Sequence, residues 1–279
     1  MSDPHKKPDW VETLAYYSVP VRRSTALKNM RLVFGDSLSP RQIKSLAQRA
    51  YGHFLRSFCE NILMGLMPKT WLKNQVRIVG YEHVLKAAEQ KKGILLLTGH
   101  FGNWEFAPVA GMLHFEQFKG RFHVLRRQLV NKWIERIAFR RFYEAGLNVI
   151  PKKNSLNQVL DHLSRNDVVA FIMDQHAKPG RDGIVVDFFG KQAGTFKSLA
   201  MIARTTGSPV VPSYSYREED GRHVMKFLEP LIWIGHPDPD TEILENTKIY
   251  NRVLEKIILE HPEQWWWVHR RWKVNEHTI

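Results

Sequence analysis

The chain has 279 residues, 43% of them apolar, enough to bury one large α/β core or two modest ones. Its formal charge of +13 calls for an anionic partner, and nucleic acid, acidic phospholipid head groups or an acidic carrier protein all satisfy that demand. The single Cys59 excludes an intrachain disulfide and disfavours a thiolate metal cluster, which fits a reducing, cytoplasmic setting.

The first residues, Met-Ser-Asp-Pro-His-Lys-Lys-Pro, carry no apolar stretch behind their charges, so no secretory signal is expected. No apolar run approaches the roughly 20 residues of a membrane span, so contact with lipid is expected to be peripheral. Residues 23–67 read as helices, because Ile43, Leu46, Ala50, Phe54, Leu55, Phe58, Ile62 and Leu66 recur at helical spacing. Arg41, Lys44, Arg49 and Arg56 fall between them as a basic face, which either covers a core or lies in a head-group layer.

From about residue 76 short apolar runs alternate with helical periods, the pattern of strands joined by crossover helices. Strands are expected at 75–79, 93–98, 121–126, 147–151, 168–173, 184–189, 209–216 and 222–228. Helices are expected at 82–90, 103–113, 131–145, 155–165, 195–206 and 241–260. Arg217-Glu-Glu-Asp-Gly221 between the last two strands signals a hairpin, which makes the sheet mixed. The expected fold is α/β: a mixed central sheet flanked by helices, with an N-terminal helical segment. Residues 1–67 are expected to form that segment, packing on the core or the membrane, and 68–279 the α/β domain, parts of one structural unit without internal repeats.

The chemistry concentrates in Gly93-Ile-Leu-Leu-Leu-Thr-Gly-His100-Phe-Gly-Asn-Trp-Glu105: a buried strand, a turn at Gly99, and a helix with Asn103 as its N-cap. Ligands of an α/β sheet bind at the carboxyl ends of strands, which puts His100 at a cleft mouth. A neutral imidazole can take a hydroxyl proton, and a carboxylate on its second nitrogen fixes the tautomer; Glu105 is placed to fold back for that bond. Gly99 and Gly102 clear space beside His100, and amides at the helix start are candidates for an oxyanion site. With no protein nucleophile in the pattern, a substrate hydroxyl attacks directly. A lone H-x-x-x-x-E is weak; the whole Gly99–Glu105 string is specific.

That string resembles the catalytic motif of the bacterial lipid A biosynthesis acyltransferases, within the glycerolipid acyltransferase superfamily. Met173-Asp174-Gln175, Gly183–Gly190, Ala200–Pro212 and the tail Pro262–Lys273 resemble later signatures in the same order. The resemblance implies a glycerol-3-phosphate acyltransferase-like fold, an acyl-carrier-protein or coenzyme A donor, and a glycolipid acceptor at the cytoplasmic face of a bacterial inner membrane. Residue by residue, it implies His100 and Glu105 as the catalytic pair. Gly102, Asn103, Asp174 and Gln175 fall in its motifs, Arg127 where the family has an arginine after a strand, and Arg141 (or Arg140) near one that meets acceptor phosphate. Many relatives carry an N-terminal membrane anchor not seen here, so attachment is peripheral or an anchor has been removed.

Arg126 and Arg127 end a strand where a guanidinium can hold phosphate bidentately, and Arg127 is favoured. Asp174 and His176 with His100 and Glu105 lack metal-ligand spacing, so no metal is expected, nor any cofactor beyond the acyl donor, since glycine-rich nucleotide loops are missing. Trp265, Trp266, Trp267 and Trp272 among His269, Arg270, Arg271 and Lys273 suit a membrane interface or core better than nucleic acid. Two alternatives stand beside acyl transfer: hydrolysis of a lipid ester by the same dyad, and a basic protein that only binds membrane or RNA.

Overall fold

A computed structural model describes residues 6–126 and 139–274. The chain opens with α1 (Trp10–Ser18), α2 (Arg23–Phe34) and α3 (Pro40–Leu63), followed by α4 (Lys69–Asn74). Capping boxes start two of these: Asp9 with Glu12 for α1, and Ser39 with Gln42 for α3, where Pro40 also presets the first turn. The α/β part runs β1 (Val76–Val79), α5 (Tyr81–Ala88), β2 (Ile94–Thr98), α6 (Phe106–Met112), β3 (Phe122–Arg126), α7 (Arg140–Glu144), β4 (Leu147–Pro151) and α8 (Leu156–Ser164). It continues with β5 (Val168–Ile172), β6 (Gly183–Phe188), β7 (Lys191–Phe196), α9 (Ser198–Thr206), β8 (Val210–Arg217), β9 (His223–Phe227) and α10 (Pro239–Glu260).

Among the described residues the main sheet has seven strands in the order β1-β9-β8-β2-β5-β3-β4. Pairing is parallel except between β8 and β9, the hairpin that Glu218–Gly221 signalled, so the sheet is mixed as its turn chemistry implies. In β2 the two-residue period divides the side chains between two cores. Leu95 and Leu97 join a cluster with α2, α3, α9 and α10, while Ile94 and Leu96 join one with α5, α6 and α7. Both faces are covered, which is why this strand reads as an unbroken apolar run.

The observed elements differ from the expected ones in places. Residues 191–196 are a strand, β7, paired with β6 in a separate two-stranded sheet, so the helix expected from 195 begins at Ser198. Its turn is Phe189-Gly190, both with positive φ (55° and 69°); a bulky residue there is outside the usual Asn-Gly signal. The helix expected over 131–145 lies mostly outside the described residues, and α7 covers only Arg140–Glu144. The basic face of α3 is not uniformly solvated, because Arg49 is 3% exposed and faces Glu263 at 3.9 Å, while Arg56 pairs with Asp9 and Glu12. Phe58, Ile62 and Leu66, which share the helical period of the core-facing residues, are exposed. No helix among the described residues is long and apolar enough to cross a membrane.

Candidate active site

β2 and β5 are adjacent and parallel with Thr98 opposite Ile172, so the residues two beyond each strand, His100 and Asp174, meet at the carboxyl edge. The His100 Nδ1 lies 2.9 Å from Asp174 Oδ1, and the His100 backbone N–H donates to Asp174 Oδ2 at 2.8 Å. Trp265 Nε1, from the tail, donates to the same Oδ2 at 2.9 Å. Asp174 is 2% exposed, so its charge is compensated by three donors rather than by water. Burial alone would raise its pKa, but the imidazole and these donors outweigh it and hold it at about 2. Burial works against a charged His100; the carboxylate beside it prevails and raises its pKa above the ordinary value. An Nδ1–H held on Asp174 leaves the Nε2 lone pair facing outward, where Gln175 Nε2 sits at 3.4 Å.

The carboxylate bonded to His100 Nδ1 is thus Asp174, and Glu105 is bonded elsewhere. The Glu105 carboxylate accepts from Arg126 Nη1 at 2.9 and 3.3 Å, while burial pushes its pKa up against that cation. Arg126, whose guanidinium also lies 4.0 Å from the centre of the Phe139 ring, is the strand-end arginine in the site. Arg127 lies outside the described residues. Arg141 is directed elsewhere: it donates to the Gly65 carbonyl and meets Glu144 at 3.3 Å, tying α7 to the end of α3. Arg140 pairs with Glu144 at 3.3 Å and is largely exposed.

The two glycines of the motif act through the scaffold. A Cβ on Gly99 would stand 2.9 Å from the Asp174 carboxyl carbon, so glycine there permits the His100–Asp174 approach. Gly102 has φ +55°, and a Cβ would lie 2.5 Å from the Ser215 carbonyl oxygen; it is needed for packing on β8, not for room beside a thioester. The amides expected as oxyanion donors are partly committed: Phe101 N–H donates to Gly99 O and Gly102 N–H to Gln264 O. Asn103, 1% exposed, does cap: its Oδ1 accepts from Phe106 N–H at 3.1 Å and its carbonyl from Ala107 N–H at 2.9 Å. Its Nδ2 donates to Glu60 Oε2 of α3 at 2.8 Å. Glu60 also receives Arg217 and, at 3.2 Å, His223, and these partners, against its burial, drive its pKa far below the usual carboxylate range. Neither Glu60 nor Trp265 was anticipated as support for the motif; nothing in the local sequence links them to it.

His100, Glu105 and Arg126 line the mouth of a cavity of about 440 Å³ that runs down one face of the sheet beneath α6 and α7. Below the mouth its walls are apolar, including Leu96, Met112, Phe122, Val124, Phe142, Leu147 and Met225. The groove opens beside Gly99 and His100. The tail tryptophans are chiefly interior: Trp265, Trp267 and Trp272 are buried, each with its indole N–H bonded, and the fully buried Arg271 binds the Gly194 and Gln175 carbonyls and Thr195. Trp266 alone of the four lines the cavity.

At the amino ends of β3 and β5, away from this mouth, the donor atoms of His123, His162 and Asp167 lie within 4.8 Å of one another. Both imidazoles meet the same Asp167 oxygen at 3.1 Å, and their ring centres are 3.6 Å apart. Two imidazoles on one tetrahedral ion, each about 2.05 Å from it, would hold their centres about 5 Å apart, so the group is arranged as a hydrogen-bonded cluster.

Residues 10–274 match the family model for the bacterial lipid A biosynthesis acyltransferase. The chain is similar to the lipid A biosynthesis lauroyltransferase of Escherichia coli (strain K12), 29% identical over 230 residues that cover 79% of this chain and 72% of that protein. It is also similar to the lipid A biosynthesis palmitoleoyltransferase of the same organism, 23% identical over 255 residues, covering 90% of this chain and 79% of that one. Among solved structures, the 1-acyl-sn-glycerophosphate acyltransferase from Thermotoga maritima aligns over 90% of this chain and 96% of its own, with a TM-score of 0.41 and 17% identity.

Proposed function

The chain belongs to the bacterial lipid A biosynthesis acyltransferase family, and on that premise we propose that it transfers a fatty acyl group from a thioester to a hydroxyl of a lipid A precursor, with His100 as general base oriented by Asp174. The observation that carries this reading is the 2.9 Å His100–Asp174 contact at the mouth of a deep apolar cavity. The proposed steps run as an acyl transfer without a protein nucleophile. The donor's acyl chain lies in the cavity with its carbonyl near His100, and the acceptor hydroxyl approaches from the mouth. His100 Nε2 takes the hydroxyl proton as the oxygen attacks the thioester carbon, while Asp174 steadies the imidazolium through Nδ1–H. The C–S bond breaks, and the proton on Nε2 passes to the departing thiolate, releasing a free thiol and an ester.

Glu105 acts in this reading with Arg126: the pair presents a guanidinium at the mouth, where an acceptor phosphate or the developing oxyanion needs positive charge. The donor is acyl-carrier protein or acyl-coenzyme A, and no other cofactor is required. The protein works at a membrane surface, the cytoplasmic face of the inner membrane. In support, Phe58 and Ile62 of α3 and Leu66 in the turn after it are exposed, with exposed Lys69, Trp71 and Lys73 following on α4. That turn is fastened to α7, which contributes Phe142 to the cavity, by the Arg141–Gly65 bond. Apolar side chains flanked by lysines suit an anionic bilayer. The test is transfer: purified protein given an acyl thioester and a lipid A precursor should release thiol and add one acyl mass to the lipid, and His100→Ala should do neither.

A further inference from the structure

The cavity has a measurable depth. Its sheet-side wall is built in rows set by strand register: Thr98 with Ile172 uppermost, then Leu96 and Val124, both opposite Ala170, then Phe122 one pleat lower, opposite Val168 and beside Leu147. Four residues of strand separate the Phe122 row from the uppermost one, about 13 Å at about 3.3 Å per residue. Single carbon–carbon bonds of about 1.5 Å in a zigzag advance about 1.25 Å per carbon, so that depth takes about ten carbons beyond the thioester carbonyl.

The floor is also firm. The Phe122 ring is stacked 6.3 Å from Phe115 and meets Phe118 edge-on at 5.7 Å, and all three are buried. A ring fixed by two other rings cannot swing aside without opening a void in a close-packed core. Resting on the reading of this cavity as the acyl-chain site, we propose that the chain selects its donor by length, with Phe122 as the stop that sets a preference for about ten to twelve carbons.

A shorter acyl group leaves buried apolar wall uncovered, and a longer one must leave its last carbons in water or distort the floor. Each methylene that finds apolar wall improves affinity by about fourfold. The experiment measures binding of saturated acyl-coenzyme A thioesters, from octanoyl to stearoyl, to the full chain carrying His100→Ala, which separates occupancy from turnover. In parallel, transfer by the unmodified protein to a lipid A precursor is read by mass spectrometry. Affinity should climb to about the dodecanoyl thioester and stop climbing. Phe122→Ala, or Phe122→Leu if the smaller residue unfolds the core, should move that break upward by two or more carbons, in binding and in transferred product alike. Affinity that rises unchecked to stearoyl, or a break unmoved in folded Phe122 variants, would overturn the stop. If the break and its shift are found while no thioester of any length is transferred, the stop stands and the acyl-transfer reading falls.

Discussion

Asp174→Asn separates the two carboxylates near His100. Asp174 accepts three hydrogen bonds, from His100 N–H, His100 Nδ1–H and Trp265 Nε1–H. An asparagine keeps the bonds to the backbone and the indole when its amide oxygen takes the Oδ2 position, but its NH₂ then faces Nδ1. Two donors cannot pair, so the imidazole turns to the tautomer with the proton on Nε2 and loses the lone pair that removes the hydroxyl proton. In serine hydrolases the equivalent change lowers turnover about 10⁴-fold with the geometry kept, and a loss of about 10³–10⁴ is expected here. Stability should fall far less, because only one bond of a buried set is exchanged. The pH profile carries a second signature. His100 is active when neutral and its pKa is raised by Asp174, so the acid limb of kcat/KM in the unmodified protein should lie above the ordinary imidazole value of about 6.5. Without the carboxylate, burial dominates and the limb of the residual activity should move to lower pH. The assay is thiol release with lipid acceptor across pH, with unfolding followed on the same samples. Asp174→Asn within tenfold of the unmodified rate, while Glu105→Gln abolishes transfer, would refute this division of roles.

Glu60→Ala removes the counter-charge of Arg217 and His223 and the anchor of Asn103, and thermal unfolding should show a loss of about 3 kcal/mol; an unchanged midpoint would mean the cluster is solvated. Because the Glu60 pKa is lowered on folding, that contribution is present above the unfolded carboxylate value and is lost progressively as pH falls from there through the much lower folded value, so unmodified and Glu60→Ala stabilities should converge in strong acid. Sedimentation with vesicles should show binding to anionic lipid at low salt, weakened by added salt and by Ile62→Glu with Leu66→Glu. Equal binding to neutral vesicles would contradict an electrostatic attachment.

The sheet was legible because β2, β3 and β5 are short apolar runs bounded by turn residues, and the hairpin because Glu218–Gly221 is turn chemistry. His100 was legible because it follows a buried apolar strand, at the end of the sheet where α/β folds bind ligands. Asp174, at the end of a strand, was a candidate for the same neighbourhood, but its direct bond to Nδ1 in place of Glu105 depends on β2 lying next to β5, a fact of topology that spacing within one motif does not contain. The choice between Arg126 and Arg127 was open to a finer reading: Phe122, Val124 and Arg126 alternate onto the cavity face, and a two-residue period selects Arg126. β7 escaped because Ala193 and Gly194 weaken its strand character, although Gly194 is where the backbone of Ala177 and the buried Arg271 come close. The apolar period of α3 continues beyond the core and past the helix end, so Phe58, Ile62 and Leu66 share its spacing with Ile43 and Leu46 and yet are exposed.

The central claim is acyl transfer by a neutral His100, and its most direct measurement is the mass of the lipid acceptor after incubation with an acyl thioester and either the unmodified protein or a folded His100→Ala variant. The account predicts one added acyl group per acceptor, thiol released in equal amount, and a loss of at least about a hundredfold in the variant. Thiol release without lipid acylation, or acylation at an undiminished rate by the variant, would contradict it.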